Sequence, residues 1–350
     1  MNARQPETAA QDEQRLETRA ALAILLVPIF FVIGFSACIM GAYHKPHPNN
    51  IKVGVVGPSA LTAPLRAGLE KQAGPSGFDI SQVDTVAQAV HAVRQRDLNA
   101  AFVPTADPKQ PAAVIVAAGG GRLVATAAET LARAVTSAQG AQLVVRDVRP
   151  LTSGDEIGLG VFMLMVVCTI CAYLAASLLY TAAPDLPASR RFPMLAAVSI
   201  LVPTIAYLIG GLGFDVYTGS AGTIFAVIGI AALYTFVICL ITRLFQVLLG
   251  PPALFVALAV FVFLNIPSLG ATYTATMLPP FWRFFNHFWL GAETTSAERS
   301  LLYFGGLGVG TDLLRLFAWT VVAVALLALP VSRKLRRHRD QPVVAEAVGS

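Results

Sequence analysis

Two glycine turns are the features of this chain that come closest to a ligand-binding motif. Gly54 and Gly57 stand at the end of one predicted strand, and a second turn, residues 119–121, stands directly before Arg122. A glycine turn between a strand and a helix can present backbone amides to a phosphate. Neither turn completes a nucleotide-binding fingerprint or has the lysine of a Walker loop. Tight-turn geometry is therefore the favoured interpretation, and phosphate binding is the alternative.

The remaining reactive side chains are not spaced for catalysis. Cys168 and Cys171 have the spacing of a metal or redox pair, but the sequence has no second pair and the segment around them is apolar. His44 and His47 lie in a linker rich in Pro and Asn, and the acids of residues 79–147 are scattered among bases. We therefore expect no catalytic residue, no metal and no cofactor, and predict that the chain is not an enzyme.

The composition indicates a membrane protein. Of the 350 residues, 55% are hydrophobic and only 13% are charged, and long uncharged runs alternate with one mixed-charge stretch, residues 44–156. The formal net charge is +5, but the basic residues cluster beside the apolar runs, where they orient helices in a bilayer. A nucleic-acid partner is therefore not expected.

Six apolar runs are candidates for membrane-spanning helices, since about 20 residues cross the hydrocarbon core. The fifth run is too long for one helix, and the prolines at its two ends place the span at about 252–264. Residues 35–38 loosely resemble the box before a lipid-modified cysteine, so a cleaved signal is the alternative to an uncleaved first anchor. The predicted spans are residues 20–43, 157–183, 192–214, 216–242, 252–264 and 316–332.

Basic residues in the short loops predict the orientation of these spans. They favour cytoplasmic tails at residues 1–19 and 333–350, with residues 44–156 outside. The remaining membrane domain is residues 157–332. We therefore predict a multi-pass protein of the plasma membrane with both termini in the cytoplasm.

The outer stretch has the alternating pattern of an α/β domain. Strands are predicted at residues 51–56, 78–83, 100–103, 113–116 and 142–148, and helices at 60–72, 86–96 and 123–137. Asp84 is predicted to cap the second helix. The predicted fold class is thus an α-helical membrane bundle of six spans with an extracytoplasmic α/β domain inserted between spans one and two.

The connection between spans five and six, residues 265–315, is predicted to be an outer interfacial segment. Six of the nine residues 281–289 are aromatic, as in short helices that lie at a membrane surface. Asp312 and Arg315 are predicted to form a pair at the outer mouth of span six. The residues chosen for the interfacial segment are Asn265, Pro267, Pro279, Pro280, Trp282, Arg283 and Trp289.

This arrangement resembles the phage-infection-protein-like membrane proteins, a family similar to the permeases of six-span ATP-binding-cassette (ABC) exporters. The resemblance rests on the architecture and on residues 265–270 (NIPSLG), 277–285 (MLPPFWRFF) and 148–160. It implies a permease-like fold in which a cytoplasmic ATPase presses on the loop between spans two and three. In this chain that loop is residues 184–193, whose charges are Asp185, Arg190 and Arg191.

The leading functional hypothesis is the transmembrane half of an ABC-type exporter for an amphipathic or lipidic substrate. Such a half requires a separate ATPase subunit, a second half in a homo- or heterodimer, and membrane lipids. The alternative is a membrane-anchored binding or scaffold protein whose outer domain docks a surface polymer or a partner protein. Its motivation is the lack of ionisable residues within the predicted spans. A membrane enzyme ranks third.

Overall fold

A computed structural model of the protein describes residues 5–59, 62–63, 67–68, 76–105, 107, 109–250 and 252–339. This part of the chain is mostly helical. It contains five helices that are long and apolar enough to cross a membrane, together with one five-stranded sheet. The chain thus combines a helical bundle with a small α/β domain.

The five long helices correspond to five of the six predicted spans. Their ends follow local signals: the Ser220 hydroxyl accepts the amide of Thr223 at the start of α6, and Asp215 ends α5 in the left-handed conformation. The helices are α1 (Gln5–Tyr43), α4 (Gly160–Ala182), α5 (Ala188–Phe214), α6 (Ala221–Leu249) and α10 (Val309–Arg339).

The remaining predicted span is a shorter apolar helix, α7 (Ala253–Ser268). Its middle turns, Leu258–Asn265, have the wider π-helical geometry. Pro267 lacks a backbone N–H, so the carbonyl one turn before it cannot receive the usual helical hydrogen bond. Pro252 directly before the helix and Pro267 near its end limit its length.

The α/β domain follows α1 in the chain. Its strands are β1 (Ile51–Val56), β2 (Phe78–Val83), β3 (Ala100–Val103), β4 (Ala112–Val116) and β5 (Leu143–Asp147). They run in the order β2-β1-β3-β4-β5; β3 and β4 are antiparallel and the other neighbours parallel. Two helices, α2 (Val86–Arg94) and α3 (Arg122–Ala138), cover the domain's two separate apolar clusters.

The sequence predicted these strands and helices to within two residues at each end. The predicted cap of α2 was wrong by one position, because the hydroxyl of Thr85, not the carboxylate of Asp84, accepts the amide of Gln88 at 3.2 Å. The helix predicted at residues 60–72 falls largely on residues outside the described part.

The connection from α7 to α10 contains a short 3₁₀ turn and two more helices, α8 (Pro280–Asn286) and α9 (Leu290–Tyr303). Most of α9 is buried, and it packs against α6 and α10. The helix contains small residues at positions 291, 292 and 297, which allow close approach of neighbouring helices.

The α/β domain is joined to the helices by close contacts. A Cβ added to Gly119 would lie 2.6 Å from the ring of Tyr303, the last residue of α9. Phe304 belongs to the apolar cluster of α2, and the Thr152 hydroxyl donates to the carbonyl of Val216 at 2.8 Å. The domain therefore rests on the end of the bundle formed by α9 and the loop after α5.

Candidate functional site

The loop proposed to meet an ATPase lies between α4 and α5 and is held by one buried arginine. Arg191 donates from Nη2 to the carbonyl oxygens of Ala183 at 2.8 Å and Pro184 at 3.0 Å. Asp185 is exposed on the same loop, and Arg190 is exposed in the first turn of α5. One predicted residue therefore stabilises the loop, and two form its charged surface.

A second arginine lies at this end of the bundle. The guanidinium of Arg243, in α6, stands 5.0 Å from the centre of the Tyr180 ring in α4. This cation–π contact ties α4 to α6.

The aromatic segment predicted to lie at an interface forms α8 and its surroundings. Pro279 and Pro280 begin α8, and Pro280 occupies the first turn, where a missing N–H is tolerated. Trp282 is buried beside the end of α1, and Arg283 donates to the side-chain oxygen of Asn49. Trp289 packs edge-on against Trp319 of α10 with ring centres 5.6 Å apart.

Asn265 and Pro267 lie inside the bundle. Asn265 is 0% exposed, and its Nδ2 donates to the hydroxyl of Tyr234 at 2.7 Å. The Thr169 hydroxyl lies 2.5 Å from the same Tyr234 oxygen. These side chains link α4, α6 and α7 through one polar cluster within apolar helices.

Arg315 forms its ion pair with Glu293 of α9, at 3.0 and 3.2 Å to the two carboxylate oxygens. This pair reaches across two helices instead of along α10 to Asp312. Burial raises the pKa of Glu293, and the neighbouring arginine partly offsets that rise. The pair therefore fixes α9 to α10.

Glu298 is a buried acid that the sequence analysis did not single out. It is fully buried in α9, and neither carboxylate oxygen has a hydrogen-bond partner among the described residues. Burial raises its pKa well above the usual range. The signal in the sequence was weak, because the helix also contains Glu293 and Arg299 and looks like a solvated helix.

Two apolar grooves run along the long helices. The first, of about 590 Å³, lies between α1, α4 and α7 and reaches the stacked rings of Tyr43 and Tyr273, whose centres are 4.6 Å apart. The second, of about 700 Å³, lies between α4 and α5. The first groove is lined by Phe31, Phe35, Phe162, Val166, Tyr173 and Val262 among others.

A third cavity, of about 260 Å³, is polar and lies where the α/β domain meets α9. Arg96 and Arg299 line it, together with Gly120 and Gly121 of the second glycine turn. Arg122, which made the phosphate interpretation attractive in sequence, is exposed and is not among the lining residues.

The cysteines lie in the apolar helices. Cys168 is buried and Cys171 lines the second groove. No group of three or more His, Cys, Asp or Glu side chains within the described ranges could hold a metal ion.

Comparisons of the chain with protein-family models, with curated proteins and with solved structures found no significant match.

Proposed function

We propose that this chain is the transmembrane half of an ABC-type exporter, which moves an amphipathic or lipidic substrate outward with the energy of a separate ATPase. The observation that carries this proposal is the first groove. Its walls come from α1, α4 and α7, and its lining is almost entirely apolar. The Tyr43 and Tyr273 rings stand at the end nearest the α/β domain. An acyl chain fits such walls, and tyrosine suits the polar boundary of a bilayer.

The loop between α4 and α5 supports the same function. Its backbone carbonyls are held by the buried Arg191, while Asp185 and Arg190 remain exposed. A force applied to a braced loop is passed to both helices, because the loop cannot deform separately from them. In this arrangement the protein lies in the plasma membrane, with both chain termini and the loop on the cytoplasmic side. A second transmembrane half completes the exporter.

The ATPase is tested by purification in a mild detergent. We expect a protein with a nucleotide-binding domain to copurify with the full chain and to hydrolyse ATP in the complex. The double variant Asp185→Lys and Arg190→Glu should lose that subunit while its melting temperature is unchanged. The matched control, Asp84→Lys with Arg94→Glu, changes exposed charges on the α/β domain and should retain the subunit.

The groove is tested by filling it. The wild-type complex in proteoliposomes is expected to translocate a fluorescent short-chain phospholipid in the presence of ATP. Val166→Trp places a large ring in the groove and should slow translocation with little effect on ATPase binding. Val321→Trp, on an exposed position of α10 that lines neither groove, should behave like the wild type.

The alternative function predicts different results. If the chain is a membrane-anchored binding or scaffold protein, no ATPase would copurify with it. The wild-type protein would then show no ATP-dependent lipid translocation for the loop variant or Val166→Trp to change. Those results together would overturn the exporter proposal.

A further inference from the structure

Two arginines from separate parts of the chain line the polar cavity. Arg96 follows α2, and its Nη1 donates to the Ser300 hydroxyl at 2.6 Å. Its guanidinium stands 5.3 Å from the centre of the Phe304 ring. Arg299 of α9 is only 8% exposed and donates from Nη1 to the carbonyl of Gly270 at 2.8 Å. The α/β domain therefore supplies one cation, and the helices supply the other.

The lining of the cavity contains no carboxylate. Within the described part of the chain, neither arginine forms an ion pair. Burial, together with the charge of Arg96, lowers the pKa of Arg299 to about 10. Asp312 and Asp155 act on the two cations only from a distance. Arg299 is buried without a paired acid, which is a costly arrangement that a bound anion would relieve, while Arg96 is accessible from solvent.

The amino end of α3 opens onto the same cavity. Gly120, Gly121 and Val124 are in the lining, and Gly121 caps the helix without any side-chain hydrogen bond. The first hydrogen bond into the helix comes from Ala125. Gly120 and Gly121 donate their own amides to the carbonyls of Ala117 and Ala118. Of these lining residues, Val124 therefore supplies the first-turn amide that has no acceptor within the helix, and the helix dipole adds a partial positive charge at this end.

A neutral donor completes the site. Asn99 lines the cavity, and its side-chain oxygen accepts the amide of Lys52 at 2.9 Å, so its remaining capacity includes the two N–H donors of the amide. The lining therefore includes two guanidinium groups, the amide of Val124 and the side chain of Asn99, all of which can donate hydrogen bonds. Donors of this kind recognise the oxygens of a phosphate.

We propose that this cavity binds a phosphate group through Arg96, Arg299 and the amino end of α3. The phosphate comes either as the free ion or as the headgroup of a lipid. A volume of about 260 Å³ accepts a phosphate and a small substituent but no acyl chain, because pockets for drug-sized molecules begin at about 300 Å³. Since both the α/β domain and the helices form the walls, the bound phosphate holds the domain on the bundle. This site requires neither an ATPase nor transport.

The test uses the purified full chain in detergent and follows its melting temperature. Inorganic phosphate should raise the melting temperature in a saturable manner, while chloride at equal ionic strength should not. Arg96→Gln removes the partly accessible cation and should weaken apparent phosphate binding by about tenfold or more, since a hydrogen bond between charged groups is lost. Arg94→Gln, at an exposed arginine outside the lining, should bind like the wild type.

The source of the phosphate is separated by two soluble lipids. The phosphate of dihexanoyl phosphatidic acid is a monoester with free oxygens, whereas that of dihexanoyl phosphatidylcholine is a diester esterified to choline. Tighter binding of the phosphatidic acid than of inorganic phosphate assigns a lipid headgroup, and the reverse order assigns the free ion. Saturable stabilisation by phosphatidylcholine equal to that by phosphatidic acid would indicate acyl binding in a groove and would overturn the assignment.

The test of phosphate binding remains valid even if Arg299 is also needed for folding. If Arg299→Gln fails to fold, Arg96→Gln and Asn99→Leu test the site from the domain side alone. No stabilisation by phosphate or by phosphatidic acid, or equal stabilisation of the wild type and Arg96→Gln, would refute the proposal.

Discussion

Asn265 in α7 donates a hydrogen bond to the hydroxyl of Tyr234 in α6, at 2.7 Å, where both side chains are completely buried. A buried amide that lost this partner would keep the cost of its desolvation. The bond therefore fixes the rotation of the short helix α7 against the long helix α6. It also fixes the wall of the first groove, because Val262 and Ile266 of α7 line that groove.

The packing around this bond can be disturbed from α9. A Cβ added to Gly291 would collide with the side chains of Asn265 and Leu269, so Gly291→Ala should lower the free energy of unfolding by about 1–3 kcal/mol. Gly229 of α6 is exposed and has nothing within 4 Å of an added Cβ. Gly229→Ala is thus the control and should be neutral or stabilising. Melting in one detergent measures both, and equal effects would contradict the prediction.

The two hydrogen bonds from Arg191 to the α4–α5 loop give a second prediction. Arg191→Ala removes the donor to the carbonyls of Ala183 and Pro184 and should cost about 2 kcal/mol of stability. Arg190→Ala, at the exposed neighbour, should have almost no effect. Limited proteolysis would report the same difference, since the loop should be cut faster only in Arg191→Ala. If Arg191→Ala were as stable as the wild type and its loop were not cut faster, Arg191 would not stabilise the loop.

Glu298 predicts how stability depends on pH. Because burial raises its pKa, the folded protein holds a proton that the unfolded chain releases above a pKa of about 4.3. Stability from this group is therefore complete below that value. It falls by about 1.4 kcal/mol per pH unit as the pH rises towards the folded pKa.

Glu298→Gln should remove this dependence, since the amide does not titrate. Melting temperatures measured at pH 5, 6.5 and 8 should show that the stability of the variant relative to the wild type increases with pH. Glu156→Gln, at an exposed glutamate, should follow the wild-type curve. Parallel curves for Glu298→Gln and the wild type would show that Glu298 is not a protonated buried acid.

The pair of Arg315 with Glu293 gives a fourth prediction. The Glu293 side chain is 4% exposed and that of Arg315 is 57% exposed, so the pair is only partly shielded from water. Arg315→Ala should cost about 1 kcal/mol at pH 8 and less at pH 5, where the unpaired Glu293 carboxyl can take up a proton. The double variant Arg315→Ala with Glu293→Gln should recover most of the loss. A loss that is independent of pH would argue against a charge effect.

The sequence alone determined the local elements of this protein. Apolar runs of helical length located the long helices because the length of a run and its lack of charge are local properties. Alternation and β-branched residues located the five strands in the same way. The boundary that moved, the cap of α2, depended on which of two adjacent side chains, Asp84 or Thr85, reaches the amide of Gln88.

Tertiary structure alone decided the burial of α9 and the position of the polar cavity. The charges of α9 resemble those of a solvated helix in sequence, but α9 packs against α6 and α10, and Glu298 and Arg299 are both buried. Arg96 and Ser300 bond across a separation of 204 positions, and no periodicity within a segment carries that information. A site whose walls come from separate elements exists only after those elements pack together, so the sequence could show its glycine turn but not the arginines that face it.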